Sequence, residues 1–545
     1  MASDPLVERG RPSGFARFLL ALVAVGLLVI VATWRDYGIT WDESVQARYG
    51  DLVLDYFASG LRDTRCNEFR NLRFYAPLAD LVGAAAVRWT GGDAFTVRHF
   101  VIALSGLSAV VGAALFARLA GGAWSGVLAA LALATMPRFY GNSFHNPKDI
   151  PFAAAFTWAM LALAAWLASP RPRRWRALLT GGAFGVALAI RPGAFPLLVA
   201  LLVAAVAWSV ALPPAHADHP EDSARPGPWR RALRLGPDAA LVLVVAWMGM
   251  IAPWPWAHEA VLRHPWRAMR EAANFSMSFP VLFGGQVHQS NQLPWTYVPT
   301  YLVITTPPAV LALTVAGLAV TFLRWRSGDG HHARWIAAAW ALLPVAAVVA
   351  LRPNLYDGIR HLLFVVPAIA VLAGVGGACL ADSVPGERAR RFARAALVLA
   401  MLAPAWSLYR LHPYQGTYFN VFVGGLAGAA TSYETDYWTS SYKEAVEWVN
   451  SRPVPDGAKL RILVVANDYN RPCAEAYLAP HVSMESLWGR TDEAAIPPGF
   501  DYSISTTRYR ADEMFPESPV VHVVGRNGAA FSVIRAGKKK EPPPP

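Results

Sequence analysis

Apolar residues occur along most of the chain in blocks of about 20 residues, each followed by a polar link. A helix of that length crosses a hydrocarbon core of about 30 Å. Two of the blocks are short enough to be broken helices. The pattern predicts a polytopic α-helical membrane protein with about eleven spans, at residues 14–33, 95–118, 122–138, 150–168, 175–190, 193–212, 236–256, 298–322, 334–351, 361–381 and 391–410.

Two apolar stretches need a separate interpretation. Residues 15–33 resemble a signal peptide, but no small-residue cleavage site follows them, so we predict a retained first helix. Residues 74–90 are interrupted by Pro77, Asp80 and Arg88. Such a stretch is typical of a helix that lies along the membrane surface.

Arginines in the short links set the predicted orientation, because cytoplasmic loops carry an excess of Lys and Arg. The odd number of spans then directs the C-terminal region outward, although one miscounted helix would invert this. The predicted segments are a cytoplasmic N-terminus 1–13, a transmembrane domain 14–410, outer loops 34–94 and 257–297, and arginine-rich inner links 169–176, 213–235, 323–334 and 382–394.

The character of the chain changes after residue 410. Alternating and β-branched runs predict strands at 460–468, 501–509, 519–525 and 530–536, the last two joined by the turn Arg526-Asn527-Gly528. Residues 442–450 read as a helix. We therefore predict a small extracytoplasmic α/β domain over 411–535 and a disordered tail over 536–545.

Composition agrees with a membrane protein and narrows the function. The 545 residues are 54% hydrophobic and 16% charged, with a net charge of +12 that we assign to the topogenic arginines. No basic domain with interleaved aromatic residues indicates nucleic acid. Three cysteines without a CxxC pattern indicate neither a zinc site nor a disulfide framework. No Walker A motif indicates nucleotide binding.

Two adjacent acids, Asp42 and Glu43, follow the first predicted helix directly. Carboxylates at a membrane boundary are costly and therefore functional candidates. Either could act as a general base on an acceptor hydroxyl. The alternative for Glu43 is a capping box with Thr40, which does not require Asp42.

A third acid, Asp149, occurs in the outer loop before the fourth span, in His145-Asn146-Pro147-Lys148-Asp149. It is a second catalytic candidate. The alternative is an N-cap of that span, with Pro151 in the first turn. His145, Asn146 and Lys148 are candidate substrate-binding groups at the same depth, or solvated loop residues.

Cations in outer loops run against the positive-inside tendency and need an explanation. Arg191 ends the fifth span, whereas Arg352, Arg360 and His361 flank the tenth. An anionic phosphate would account for them, since arginine binds phosphate bidentately. The alternatives are an ion pair of Arg360 with Asp357 and snorkelling. Acids and cations on one face suit group transfer from an anionic, membrane-anchored donor.

With these residues the chain resembles the GT-C-fold glycosyltransferases, in particular the group of protein O-mannosyltransferases and lipid A aminoarabinose transferases. The resemblance rests on Trp41-Asp42-Glu43, on the Pro-containing stretch Phe74 to Leu81, and on Asn146-Pro147-Lys148-Asp149. The hydrophobic layout supports it over residues 14–410. The segments Tyr418-Phe419-Asn420, Asp436-Tyr437-Trp438 and Ser441-Tyr442 resemble a region of bacterial members.

The resemblance implies a polyprenyl-phosphate sugar donor and transfer with inversion to an extracytoplasmic glycan, lipid or protein, at the inner (plasma) membrane. Asp42 would be the base or would position the acceptor, and Asp149 would be the second acid. Aminoarabinose transferases carry an arginine three residues after the first acid; here Val45 occupies that position and Arg48 comes later. Metal use varies in the superfamily, so no metal ligand is predicted and a divalent metal stays open.

Two other functions fit parts of the sequence. A transporter or flippase of lipid-linked glycans would hold its charges near the midplane, often in two related halves, and neither feature is visible here. A non-catalytic scaffold would leave Asp42, Asp149 and Arg191 unexplained. Aromatic residues of the C-terminal region either bind acceptor by stacking or pack that region onto the membrane part: Tyr433, Tyr437, Trp438 and Tyr442.

Overall fold

The computed structural model describes residues 14–169, 174–211, 228–273, 277–324, 331–454, 457–489 and 491–537. The predicted N-terminal segment 1–13 and residues 538–545 of the predicted tail lie outside this range. The helices are α1 (Gly14–Thr33), α2 (Glu43–Ala58), α3 (Leu78–Thr90), α4 (Ala94–Gly121), α5 (Ala123–Thr135), α6 (Pro137–His145), α7 (Asp149–Leu167), α8 (Arg174–Leu188), α9 (Phe195–Ala211), α10 (Pro228–Ile251), α11 (Pro255–Glu259), α12 (Arg263–Ala273), α13 (Tyr297–Thr305), α14 (Pro308–Leu323), α15 (His331–Leu351), α16 (Val366–Asp382), α17 (Glu387–Leu402), α18 (Ala405–Arg410), α19 (Gly425–Ala429), α20 (Tyr442–Asn450) and α21 (Pro472–Glu475). The strands are β1 (Pro280–Phe283), β2 (Gln286–Gln289), β3 (Leu460–Val465), β4 (Val482–Leu487), β5 (Tyr502–Thr506), β6 (Val520–Arg526) and β7 (Ala529–Ala536).

The protein is a multi-pass membrane protein. Within the described ranges, eight helices are long and apolar enough to cross a bilayer, and α13 with α14 forms a ninth span if the pair, bent by 116°, is counted as one. Two of the eleven predicted spans correspond to shorter helices, α5 with 13 residues and α8 with 15. Both fall short of the roughly 20 residues that a straight span requires.

Helix α16 lies at the centre of the bundle, and 94% of its most apolar stretch is buried. Glycines bring its neighbours into backbone contact. A Cβ atom added to Gly317 of α14 would lie 2.0 Å from the carbonyl oxygen of Leu372, and one added to Gly374 would lie 2.3 Å from that of Ser125 in α5. In a bilayer, helix association depends on such close packing, since lipid supplies little hydrophobic driving force.

The break between α13 and α14 follows from sequence and is closed by a distant side chain. Pro307 and Pro308 cannot continue a helix through their own amides. The amide group of Asn420 donates to the carbonyl oxygens of Val303 at 2.7 Å and Thr306 at 2.8 Å. The carbonyl groups that the break exposes are thereby satisfied inside the protein, as a low-dielectric environment requires.

The C-terminal strands form one five-stranded sheet in the order β4-β3-β5-β7-β6. Strands β3, β4 and β5 are parallel, whereas β7 is antiparallel to both β5 and β6. The predicted hairpin is confirmed: Asn527 and Gly528 join β6 to β7 with φ values of +49° and +83°. Positive φ at both turn residues is typical of the tight turns that match strand twist.

The segments between α1 and α4 cover one end of the bundle. Helix α3 begins after Pro77 and occupies most of the stretch predicted to lie along the membrane surface. It crosses α2 closely, because a Cβ atom added to Gly50 would lie 2.3 Å from the carbonyl oxygen of Asp80. These two helices form one side of the site described below.

We predict that Gly317→Ala lowers the thermal unfolding temperature of the detergent-solubilised protein. The added methyl group collides with backbone of α16, and overpacking costs about 1–3 kcal/mol. The control is Gly182→Ala in α8, where a Cβ atom meets nothing within 4 Å. That variant should be neutral or more stable, since alanine favours helix by about 1 kcal/mol. Equal unfolding temperatures for the two variants would contradict the packing described for α14 and α16.

Candidate active site

Asp42 lies at the N-terminal end of α2, after the loop that leaves α1. Its Oδ2 accepts a hydrogen bond from Nη1 of Arg360 at 2.8 Å, and its side chain is 33% exposed. A guanidinium at this distance orients the carboxylate. The exposed part of the group leaves it free to accept a proton from a bound molecule.

Glu43, the adjacent acid, is buried and occupied. Its Oε1 accepts from the backbone amide and the hydroxyl of Thr40 at 2.7 and 2.9 Å. Its Oε2 lies 2.8 Å from Nε2 of His99 in α4. The capping-box hypothesis holds for the contact with Thr40 but not for the position, because α2 begins at Glu43 itself. These contacts favour a role in fixing the loop that carries Asp42.

Asp149 is the first residue of α7 and not its N-cap, which is Lys148. Its Oδ2 accepts from the side-chain amide of Asn146 at 3.0 Å, and its backbone amide donates to Oδ1 of Asn146 at 2.9 Å. Its Oδ1 forms a short ion pair with Arg191. A carboxylate in the first turn also interacts favourably with the helix dipole. Asn146 therefore holds the acid, and the acid holds Arg191.

Three cations approach one another at this end of the bundle. Lys148 lies 4.3 Å from the centroid of the Tyr75 ring, and Arg191 lies 5.9 Å from that of Phe152. Burial lowers the pKa of Lys148, while the nearby acids Asp80 and Asp42 act to raise it. Burial, with the nearby Arg360 charge, lowers the pKa of Arg191 to about 10. Because burial disfavours the charged form of these groups, a bound anion would stabilise that form.

His145 is buried beside the loop that carries Asp42. Its ring packs edge-on against Tyr37 at 5.7 Å and Trp438 at 5.9 Å between centroids. Its backbone carbonyl accepts from the Thr40 hydroxyl at 3.2 Å. Burial lowers the pKa of His145 to about 3. The imidazole is therefore neutral at physiological pH and cannot attract a phosphate by charge.

The other predicted substrate-binding residues lie in different surroundings. His361 follows Arg360, and its ring lies 5.0 Å from that of Tyr356 between centroids. Arg48 is exposed on α2, and Arg352 is exposed after α15 with a φ of +46°. Neither Arg48 nor Arg352 lines the cavity next to the cations.

A cavity of about 450 Å³ opens beside Arg191 and His361. Its wall is mostly apolar and includes residues of α7, α9 and α12. The apolar lining includes Phe74, Phe152, Leu197, Ala268, Met277 and Phe364. An amphiphile with an anionic head would fit, since Arg191 lines one part of a mostly apolar space.

Two residues of the site, Tyr356 and Arg508, carried no separate signal in the sequence. Tyr356 and Trp438 flank the Arg360 guanidinium, with ring centroids 4.6 and 5.3 Å away. The predicted ion pair of Arg360 with Asp357 is present at 3.2 Å, together with the Asp42 contact. Arg508 binds Asp357 from 151 residues away in sequence. A strand ending in a basic residue gives no indication of such a contact.

Among the described residues, no three His, Cys, Asp or Glu side chains are grouped so that they could hold a metal ion. Asp42 and Asp149 are each engaged by an arginine. Three cations lie near these acids: Lys148, Arg191 and Arg360.

Because His145 is buried in its neutral form, we predict that the stability of the folded protein depends on pH. Its folded-state pKa of about 3 lies below the usual value of 6.5, so unfolding takes up a proton at acidic pH. Stability therefore falls as pH drops below 6.5, and this loss continues toward pH 3. We expect His145→Gln to reduce the difference in unfolding temperature between pH 7.5 and pH 5. His288→Gln, in the β1–β2 hairpin, should retain the full difference; an unchanged His145→Gln profile would contradict the assignment.

Comparisons with known proteins agree with this geometry. Residues 75–215 match the family model described as dolichyl-phosphate-mannose-protein mannosyltransferase. This range includes Tyr75, Lys148, Asp149 and Arg191. No curated protein sequence matches the chain.

Solved structures match nearly the whole chain. The apo structure of ArnT from Cupriavidus metallidurans is 16% identical, with a TM-score of 0.53 over 95% of this chain and 98% of that one. ArnT bound to undecaprenyl phosphate gives 16%, a TM-score of 0.50, and coverages of 96% and 99%. The apo oligosaccharyltransferase of Archaeoglobus fulgidus is 13% identical, with a TM-score of 0.50 over 92% of this chain and 72% of that one. The chain therefore has the fold of these proteins, and the GT-C fold expected from the resemblance found in its sequence is confirmed.

Proposed function

We propose that this chain is a membrane glycosyltransferase that moves a sugar from a polyprenyl-phosphate donor to an extracytoplasmic glycan, lipid or protein. The observation that supports this most directly is the grouping of Asp42 with Lys148, Arg191 and Arg360 beside an apolar cavity. The structure of ArnT with undecaprenyl phosphate makes a lipid phosphate a reasonable donor head group for the same fold.

The donor would bind with its phosphate near Lys148 and Arg191 and its first isoprenoid units in the cavity. Arginine and lysine stabilise phosphate through charge-assisted hydrogen bonds. The phenylalanines of the cavity wall suit a branched hydrocarbon chain. When the bond between the sugar and the phosphate breaks, the same cations stabilise the negative charge that develops on the departing phosphate oxygen.

Asp42 would act on the acceptor. The acceptor hydroxyl or amine attacks the anomeric carbon as the bond between that carbon and the phosphate oxygen breaks, and its proton passes to the Asp42 carboxylate. Attack opposite to the leaving phosphate inverts the anomeric configuration. Arg360 keeps the carboxylate oriented through the 2.8 Å hydrogen bond. Asp149 serves by holding Arg191 toward the phosphate.

The finer topology is part of the proposal. Counting α5 and α8 as short spans, with the bent α13–α14 pair as one, gives eleven crossings. The N-terminus would then be cytoplasmic at the inner (plasma) membrane, and the five-stranded sheet would belong to an extracytoplasmic α/β domain. This orientation agrees with the position of the cation cluster, since polyprenyl-phosphate sugars are used there by the resembling enzymes.

The residues of the site do not identify the sugar that the donor carries. Val45 is partly buried against the cluster that includes Tyr49, Leu52 and Cys66. An arginine at this position in aminoarabinose transferases has no charged counterpart here, and Arg48 is directed to the surface. We therefore propose no specific sugar. The transporter alternative gains no support, because the candidate charges gather at helix ends on one face.

The transfer reaction tests the base assignment. We expect wild-type protein in detergent to release undecaprenyl phosphate from at least one undecaprenyl-phosphate sugar of a panel, in the presence of bacterial envelope extract as acceptor. Asp42→Asn should lower turnover at least about a hundredfold, the lower range for loss of a general base. The matched control is Asp36→Asn in the same loop, whose exposed carboxylate pairs with His412. Transfer that survives Asp42→Asn would remove Asp42 from the role of base.

Donor binding tests the phosphate site separately. Arg191→Gln should weaken binding of undecaprenyl phosphate to the detergent-solubilised protein about tenfold or more, since a charge-assisted contact contributes about 1.5–3 kcal/mol. Arg88→Gln is the control, because Arg88 is exposed on α3 and pairs with Asp55. Equal affinity of Arg191→Gln and wild type would show that the phosphate binds elsewhere.

A further inference from the structure

Arg508 directly follows the C-terminal sheet in sequence, but its side chain contacts Asp357, which lies between helices α15 and α16. It follows β5 in a short 3-10 turn, and its side chain is only 3% exposed. Its Nη2 donates to Oδ1 of Asp357 at 2.8 Å, and its Nη1 donates to the backbone carbonyl of Tyr437. A buried guanidinium is tolerated only when its donors are paired in this way.

Asp357 passes the interaction on to Arg360. Its carboxylate is fully buried, and its second oxygen, Oδ2, lies 3.2 Å from Nε of Arg360. Arg360 in turn donates to Asp42 through Nη1. Four charges of alternating sign therefore run from the sheet to the candidate base, in the order Arg508, Asp357, Arg360 and Asp42.

Aromatic rings enclose the same series. The Arg508 guanidinium lies 4.2 Å from the centroid of Trp41, the residue before Asp42. Arg508 thus approaches Asp42 both through the chain neighbour Trp41 and through the two intervening charges. Such contacts fix the guanidinium plane, because arginine stacks on aromatic faces.

The backbone is strained where these side chains leave it. Asp357 has a φ of +61°, and Tyr509, which follows Arg508, has a φ of +58°. Left-handed conformations are unfavourable at residues other than glycine and persist where the surrounding structure imposes them. Both ends of the Arg508–Asp357 contact therefore carry a cost that the contact itself must offset.

We propose that Arg508 is a positioning residue for sugar transfer, which holds Asp42 in its reactive orientation through Asp357 and Arg360. This inference rests on the proposed function. Arg508 occupies one oxygen of Asp357, so that Arg360 keeps Nη1 available for Asp42. Without Arg508, the buried Asp357 carboxylate would turn to Arg360 as its remaining cationic partner and compete with Asp42 for the same guanidinium.

Another acid, Glu434, lies near Arg508 and Asp357 and affects their interaction. Glu434 is buried, and both Arg508 and Asp357 act on its charge. Burial raises the pKa of Glu434 to about 7, so its carboxyl is partly protonated near neutrality. In its ionised form Glu434 repels Asp357, whereas Arg508 attracts both carboxylates. Arg508 is thus the cation that separates the two acids.

The test is a double-mutant cycle of Arg508→Lys and Asp42→Asn, measured as release of undecaprenyl phosphate from a donor that the wild type uses. Lysine keeps the charge but loses the planar fork that contacts Asp357 and Tyr437 together. Displacement of a reacting group by about 1 Å can cost about a hundredfold. We expect Arg508→Lys to lower kcat by between about tenfold and a hundredfold, with the donor KM within about twofold of wild type, because Lys148 and Arg191 are untouched.

In the Asp42→Asn background, Arg508→Lys should lower the residual rate by less than about twofold, since residues acting through one group are non-additive. The matched control is Arg510→Lys, two residues away, whose exposed side chain pairs with Glu513. It should leave kcat unchanged. An equal loss from Arg508→Lys in both backgrounds, or a kcat equal to that of Arg510→Lys, would overturn the proposal.

Two further measurements keep the proposal separate from folding and from the assigned reaction. If Arg508→Lys fails to assemble, Arg508→Gln with Asp357→Asn removes both charges without leaving one buried alone. A loss of kcat is again expected, here because Arg360 loses the Asp357 carboxylate that fixes its guanidinium beside Asp42. Hydrogen–deuterium exchange at residues 37–42 should increase in either variant but not in Arg510→Lys; unchanged exchange would overturn the positioning role. Absence of transfer by the wild type would defeat the proposed function, whereas the exchange result would still decide whether Arg508 orders this segment.

Discussion

The neutralisation of charge at one end of the helix bundle is the constraint on which the site depends. Acids and arginines there are mostly buried, and each unpaired charge would cost several kcal/mol. The protein meets this by alternating signs: Asp149 with Arg191, and Asp42 with Arg360 and Asp357. Lys148 lies beside these pairs, with Asp80 and Asp42 as the acids that act on it, and Arg191 lines the cavity. In the proposed function these two cations would contact the donor phosphate.

Periodicity and length predicted the bundle well, because the bilayer imposes one simple rule on apolar segments. All eleven predicted blocks coincide with helices in the described ranges. The rule is less sharp at α5 and α8, where neighbouring helices bury short segments that could not span alone, and at α13–α14, where two prolines break a block that reads as continuous. The hairpin after β6 was predictable because Asn-Gly favours one turn geometry.

Residues of the site were predictable where the sequence alone showed a charged group at the boundary of an apolar segment. Asp42, Asp149, Arg191 and Arg360 stood out because charge at a membrane boundary is unfavourable, and the fold brings them together. Glu43 and His145 stood out for the same reason, yet their contacts with Thr40, His99 and Trp438 favour structural roles. Arg508 could not be found in this way, since its significance arises only from tertiary contacts with Asp357 and Trp41.

The bond from Asn420 to the broken helix has a consequence for dividing the protein. The residues after 410 look from sequence like the beginning of a separable unit, yet Asn420 satisfies carbonyl groups between α13 and α14. A Cβ atom on Gly141 of α6 would likewise lie 2.3 Å from the backbone nitrogen of Gly416. Exchange of C-terminal modules between relatives would therefore need its junction beyond this segment, so that each membrane part keeps the linker that closes its own interior.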